Sequence, residues 1–297
     1  MKNVLSIHRQ GEGHWVGDGF PVHTIFHYQE RPELSPFILL DHAGPADFTP
    51  AAKPRGVDWH PHRGFETVTV VYDGEVDHHD TAGNGGRIGP GDVQWMTAGS
   101  GLLHKEFHSP EFTRRGGRFE VMQLWVNLPA KSKMTAPQYQ TLMAKDIPAV
   151  ELPGTGGDAG GSVRVIAGEF EGARGPAKTF TPVNVLDVRL RAGHRVSLSL
   201  RDGFSAAFYV LEGRVKLNGT EDAVKTELVV FDRKGDEVTI EALSDAKIFV
   251  MNGQPLEEPV YGYGPFVMNT PREIEQAMVD FRLGKLGRVP SPEPASQ

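Results

Sequence analysis

Cysteine is absent from the 297 residues, which excludes disulfides, thiolate metal ligands and a cysteine nucleophile together. Long apolar runs are absent as well. Nowhere do about 18 uninterrupted apolar residues occur, the length a membrane-crossing helix needs. The start, Met1-Lys2-Asn3-Val4-Leu5-Ser6-Ile7-His8, lacks the apolar core and small-residue cleavage site of a secretory signal. A cytoplasmic protein without membrane association is the expectation. No run of Lys and Arg stands out, and 38 acidic against 31 basic residues leave a net charge of −7. Direct nucleic-acid binding through a basic face is therefore not expected. Long helical periodicity is scarce too.

What the chain has instead is punctuation. Thirty-five glycines and 22 prolines separate short Val/Ile/Leu/Phe/Thr runs, the pattern of an all-β sandwich or barrel. Thr67–Tyr72, Phe119–Val126 and Val185–Leu190 read as strands, and Asp73-Gly74, Asp202-Gly203 and Asn218-Gly219 as tight turns. The stretch from Pro129 to Gly161 loses this rhythm and marks a boundary. The expected division is 1–130, a linker at 131–162, a second domain at 163–290 and a disordered tail at 291–297. The two domains look like copies of one unit: Val70-Val71-Tyr72-Asp73-Gly74-Glu75-Val76 resembles Tyr209-Val210-Leu211-Glu212-Gly213-Arg214-Val215 at an offset of 139, and Pro90-Gly91-Asp92-Val93 resembles Lys234-Gly235-Asp236-Glu237 at 144. Near the end, Thr270-Pro271-Arg272-Glu273 combines an N-cap hydroxyl, a proline at the first helical position and a carboxylate three residues after the cap. Ile274, Ala277, Met278 and Phe281 follow at helical spacing, so one amphipathic C-terminal helix is expected to pack on a sheet.

The histidines are distributed unevenly. Eleven of the 12 lie at or before His108, and His194 alone follows. Within that first part stand two spaced pairs, His60-Pro61-His62 and His104-Lys105-Glu106. Side chains at i and i+2 of a strand share a face, so two neighbouring strands could offer three imidazoles and a carboxylate to one point and leave coordination positions open for substrate and oxygen. Carried to the second copy, His60, His62 and Glu66 fall on Ser199, Arg201 and Ser205, and His104 and Glu106 fall on Ile248 and Val250. No metal site is expected there.

His60-Pro61-His62-Arg63-Gly64-Phe65-Glu66 with a later Gly74, and Pro90-Gly91-Asp92 with His104, approximate the two cupin signatures. Asp58–Val68, Pro90–Gly99, Val163–Gly168 and Gly264–Thr270 together resemble the pirin family, over roughly Phe37 to Gly284. The resemblance implies a bicupin: two jelly-roll β-barrels, with iron in the N-terminal one and none in the C-terminal one. It also implies metal ligands at His60, His62, His104 and Glu106. In many cupins the carboxylate four residues after the second His binds the metal, which here would be Glu66. The pirin pattern favours Glu106 and leaves Glu66 as an outer acceptor or a pocket group that touches substrate. Fe(II) is the family's expected metal, but a mixed N/O donor set also suits Mn, Co, Ni, Cu or Zn. Arg63 could hold a substrate oxyanion or form a structural ion pair. His78 and His79, ahead of the Gly83-Asn84-Gly85-Gly86 turn, read as exposed hairpin residues rather than a second metal site, and His108 as a residue at the pocket rim.

The activity this resemblance implies is a metal-dependent dioxygenase of the quercetinase type. Such an enzyme opens a flavonol such as quercetin with O2 and releases carbon monoxide, with Glu106 accepting the substrate's hydroxyl proton. The alternative is an iron-containing, redox-responsive regulatory protein that binds a transcription factor or metabolic enzyme. A metal-dependent sugar isomerase fits the ligands but not the family motifs.

Overall fold

A computed structural model describes residues 1–154 and 159–289; the expected tail at 291–297 lies outside the described residues. Among the described residues strands dominate, with two α-helices, Pro110–Arg115 and Pro271–Arg282, and contacts divide the chain into two compact units.

The histidine-bearing unit comprises 14–22, 43–141 and 257–297. One of its sheets runs Gln138–Leu142, Val93–Thr97, Phe65–Asp73, Gly117–Asn127, Phe37–Phe48, Phe20–His27, Gly13–Val16, of which the unit holds residues 43–48 and 20–22 of the fifth and sixth strands. Phe65–Asp73 is rich in Val, Thr, Phe and Tyr and buried along nearly its whole length, as a strand covered on both faces must be. The second sheet has four strands in the order Gly56–His62, Leu102–His108, Val76–Asp80, Gly85–Ile88. Its outer face carries Leu103 and Trp59, which pack with Phe266, Met268, Ile274, Ala277 and Leu286.

The helix Pro271–Arg282 begins as its sequence dictates. Thr270 Oγ1 accepts from Glu273 N at 3.2 Å, and Glu273 Oε2 accepts from Asn269 N at 3.1 Å. Ile274 and Ala277 are buried, but Phe281, expected in the apolar stripe, is 42% exposed. The buried neighbour is Asp280 instead. Its Oδ2 accepts from Arg63 Nη1 at 2.9 Å, and its Oδ1 from Gln276 and Lys285 at 2.9 and 3.0 Å.

The second unit comprises 1–13, 23–42 and 142–256. Its sheets run Val4–Arg9, Glu227–Phe231, Ser205–Glu212, Ala246–Gly253, Val183–Leu190, Ala159–Ala167, Ala149–Pro153 and, separately, Arg195–Ser199, Glu237–Ala242, Arg214–Leu217, Glu221–Val224. Between them lies an apolar core that includes Leu198, Phe208, Val210, Ile248 and Val250. The internal repeat is visible in its turns: Gly74 and Gly213, each joining the two strands of a copy, have φ of +88° and +82°, a region that glycine enters without a Cβ clash.

The linear division at 130 and 163 differs from this grouping at both ends of the chain. Val4–Arg9 pairs antiparallel with Glu227–Phe231, which draws the N-terminus into the second unit, and the C-terminal helix covers the first unit's outer sheet face. The stretch expected as a linker contains the edge strands Gln138–Leu142 and Ala149–Pro153, one for each unit. Edge strands are short and tolerate the prolines that blur their pattern.

Burial would raise the Asp280 carboxyl, but hydrogen bonds from Lys285, Arg63 and Gln276 outweigh it and hold its pKa at about 2. A depressed carboxylate contributes stability that is present above its unfolded pKa, about 3.9, and is lost as pH falls towards 2. Denaturation midpoints should therefore fall more steeply between pH 4 and 2 for the wild type than for Asp280→Asn. At pH 7 the variant should be less stable by about 1.5–3 kcal/mol, the worth of a hydrogen bond to a charged group. Parallel pH profiles for the two proteins would refute this role.

Candidate metal centre

Strand pairing brings the two sequence pairs together. In the four-stranded sheet, His104 lies directly opposite His60 on one side and Asp80 on the other, and Glu106 lies opposite His78. Residues directly opposite in an antiparallel pair share a face, so His60, His62, His104, Glu106, His78 and Asp80 all project inward. Facing them from the larger sheet are Thr69, Gln94, Gln123 and Trp125. Thr69 Oγ1 and Gln123 Nε2 donate to the two Glu106 oxygens at 3.4 and 3.2 Å.

His60, His62 and His104 each offer a ligand atom within 4.8 Å of the others. Their ring centroids are 4.1 Å (His60–His104), 4.8 Å (His62–His104) and 5.0 Å (His60–His62) apart. His78, His104 and Glu106 form a second such group, so His104 is common to both. His62, His104 and Glu106 are buried, while His60 is partly exposed.

Electrostatics keep the rings available. Burial first, then the neighbouring His60, holds His62 and His104 well below the usual imidazole range. Both are therefore neutral near pH 7, the state in which a ring nitrogen can donate to a metal. His60 Nδ1 donates to the Asp58 carbonyl at 2.8 Å, which leaves Nε2 bare. His104 Nε2 and His62 Nδ1 are buried without a hydrogen-bond partner. Unsatisfied buried nitrogens beside one another cost stability, and a cation among them would satisfy them; the donor set fits a metal.

Two sequence expectations need correction. Glu66 does not face the histidines. Gly64, with φ of +90°, turns the chain between His62 and the next strand, so strand parity does not carry from His62 to Glu66. Odd-numbered Thr69 reaches the site; Glu66 lies on the other face, where Thr97 Oγ1 donates to it at 2.8 Å. His78 is not an exposed hairpin residue but fully buried, while His79 is exposed. The alternation Val76, His78, Asp80 in, Asp77, His79 out could have been read from the i, i+2 rule.

Arg63 donates from Nε to Ser100 O at 2.7 Å besides its ion pair with Asp280, so its charge is committed to the helix and the adjoining loop. His108 sits in an aromatic cage of Phe20, Phe48, Phe112 and Phe119 and is bonded through Nε2 to Gly19 O at 2.9 Å, away from the pocket rim. Trp125, which the sequence reading passed over, stacks on Phe65 at 4.3 Å and meets His62 edge-on at 5.2 Å.

With this geometry in hand, comparison with known proteins is decisive. The pirin family model matches residues 19–126, and that of the pirin C-terminal cupin domain matches 185–287. A Pseudomonas aeruginosa protein named "Putative quercetin 2,3-dioxygenase" is 52% identical over 290 residues, 97% of this chain and 100% of that one. The chain belongs to the pirin family. Human pirin is 39% identical over 266 residues, 86% of each chain. The crystal structure of a quercetin 2,3-dioxygenase from Acinetobacter baumannii superimposes with a TM-score of 0.94 at 50% identity, covering 98% of this chain and 100% of that one. The fold is thus a bicupin, as the motifs implied. Among the described residues no helix is long and apolar enough to cross a membrane.

Burial pushes the Glu66 carboxyl up to about 7 against the opposing hydrogen bond from Thr97. A raised carboxyl contributes stability that is fully present below its unfolded pKa, about 4.3, and lost as pH rises through 7. In metal-free protein, Glu66→Gln should therefore gain stability relative to wild type as pH rises from 4.5 to 7.5. A pH-independent difference in urea midpoints would mean that this carboxyl is ionised throughout.

Proposed function

We propose that this pirin-family protein is a metal-dependent dioxygenase that opens a flavonol such as quercetin with O2, and that His60, His62, His104 and Glu106 hold the metal. The observation carrying this reading is the convergence of three imidazoles, two of them buried and held neutral, beside the Glu106 carboxyl, in a chain half identical to proteins bearing that name. Iron, as Fe(II), is the metal we propose, from the N/O donor set and the family. When bound, it supplies Lewis-acid polarisation of the substrate's hydroxyl oxygen and access to O2.

The protein's own groups would do the rest. Glu106 Oε1 and Oε2 are each steadied by one neutral donor, so a lone pair remains to take the substrate's 3-hydroxyl proton. Trp125, partly exposed beside His62 and backed by the buried Phe65, offers apolar surface for a flat aromatic ligand and excludes water from that side. His60, partly exposed, marks the side from which substrate reaches the cluster. The ion pair to Asp280 supports a positioning role for Arg63 over substrate contact, and the orientation of Glu66 supports a role outside the pocket for that residue. The protein would work in the cytoplasm, with a small aromatic substrate as its partner.

Metal content after iron loading, and flavonol turnover, test this. His62→Ala and Glu106→Ala should lose most bound metal, and Glu66→Ala should retain it. The loaded wild type in air should bleach quercetin absorbance and release carbon monoxide. No turnover with any first-row metal would overturn the enzymatic reading, and metal loss confined to Glu66→Ala would overturn the ligand set.

A further inference from the structure

His78 is buried beside the proposed ligands, yet the fourfold set leaves it without a task. Its surroundings define one. Its Nδ1 lies 3.3 Å from His104 Nδ1 and 3.3 Å from Gln94 Nε2, and its Nε2 faces Asp80 Oδ2 at 3.6 Å. Tyr139 stacks on the ring at 5.0 Å and 20° and donates its hydroxyl to Gln94 Oε1 at 3.4 Å, which orients the Gln94 amide with its nitrogen towards His78.

These contacts determine where the protons sit. Two bare lone pairs, or two N–H groups, facing each other at 3.3 Å would repel, so one of the paired Nδ1 atoms donates and the other accepts. The Gln94 amide nitrogen can only donate, which makes His78 Nδ1 the acceptor. A carboxylate opposite Nε2 calls for the proton there, and Asp80 is held as a carboxylate. Ala82 N and Asn84 N each donate to its Oδ1 at 2.9 Å, and Asn84 Nδ2 donates to its Oδ2 at 3.0 Å. Burial works to raise this carboxyl, but bonds from His78 and Asn84 lower it overall. It follows that His104 carries its proton on Nδ1 and leaves Nε2 bare, and Nε2 is the His104 atom found buried without a partner.

We infer that His78 is a positioning residue for the metal centre: backed by Asp80 and Gln94, it accepts the Nδ1 proton of His104 and so fixes the tautomer that presents His104 Nε2 as a ligand. With Nδ1 accepting from His104 and Nε2 turned to the Asp80 carboxylate at 3.6 Å, an electrostatic contact longer than a hydrogen bond, His78 is an outer partner and not a ligand, although it lies within ligand distance of His104 and Glu106. The relay Asp80–His78–His104 extends by one ring the usual hydrogen bond from a metal-bound histidine to a carboxylate or carbonyl, the bond that His60 makes directly to Asp58 O.

The inference rests on the proposed ligand set, and its test separates the two. In metal-free, nitrogen-15-labelled protein, with the His104 signals assigned by comparison with His104→Gln, long-range proton–nitrogen spectra should place the wild-type His104 proton on Nδ1. His78→Phe keeps the ring stack but removes the acceptor, and should shift His104 towards the Nε2–H form. His78→Gln supplies an amide oxygen at the same place and should restore Nδ1–H. Iron(II) affinity, measured by competition with a chromophoric chelator, should fall 10–100-fold in His78→Phe and stay within a few-fold of wild type in His78→Gln. A wild-type His104 protonated on Nε2 would overturn the inference. So would undiminished affinity in His78→Phe, or an equal loss in both variants, which would make His78 itself a ligand. If His78→Phe does not fold, the wild-type tautomer and the His78→Gln affinity still decide. A wild type that shows the Nδ1 tautomer but binds no metal would refute the ligand set instead.

Discussion

His62 and His104, buried within about 5 Å of each other and of His60, cannot carry charge near pH 7. Burial disfavours protonation of either ring, and the neighbouring imidazoles disfavour it further. This enforced neutrality is the constraint on which the site depends, because a neutral ring with one nitrogen engaged elsewhere has a lone pair to give. Asp58 O engages one nitrogen of His60, and His78 one of His104. The register of Leu102–His108 between two partner strands aims these rings inward. A one-residue slip would turn all of them to the outer face.

The inner face of the four-stranded sheet is apolar at one end, where Val76 and Ile88 join a core with Phe119 and Val121, and polar around the histidines, where cohesion must come from the sheet's other side. Leu103 and Trp59 supply apolar surface there, and the segment after residue 257 covers it with Phe266, Met268, Ile274 and Ala277. The same segment brings Asp280 to Arg63, the residue immediately after His62. The segment that carries the C-terminal helix is therefore a structural part of the histidine-bearing unit, and the match of the C-terminal family model through residue 287 crosses a boundary that contacts draw at 257.

The all-β class, the repeat and the shared face of each spaced pair were legible because they are local: period-two alternation within one strand is enough to see that His60 and His62, or His104 and Glu106, share a face. Legibility ended where the chain turns. Nothing in His60–Glu66 announces that Gly64 resets the alternation, so spacing did not separate Glu66 from Glu106 and the preference for Glu106 came from the family resemblance. His78 failed for the opposite reason. Its alternation was visible, but a neighbouring charged pair and a glycine-rich turn suggested solvent, and burial on an inner face depends on strand pairing with Glu106, 28 residues on in sequence. The domain grouping was hidden for the same reason, since Val4–Arg9 finds its partner more than 200 residues on.

Asp80, Glu106 and Glu66 lie on or beside these sheets, and what separates them is the number and kind of hydrogen bonds each receives. Asp80 takes backbone and side-chain donors from Ala82 and Asn84 and faces a ring N–H, so it stays ionised and anchors the His78 relay. Glu66, on the far face, takes one hydroxyl from Thr97; burial prevails and moves its carboxyl to about 7. Glu106 takes one neutral donor on each oxygen, at 3.4 and 3.2 Å. Long neutral bonds steady a carboxylate without consuming its lone pairs. Of the three, Glu106 alone shares the inner face with the bare imidazole nitrogens while keeping acceptor capacity to spare, which is what both metal ligation and proton transfer ask of it.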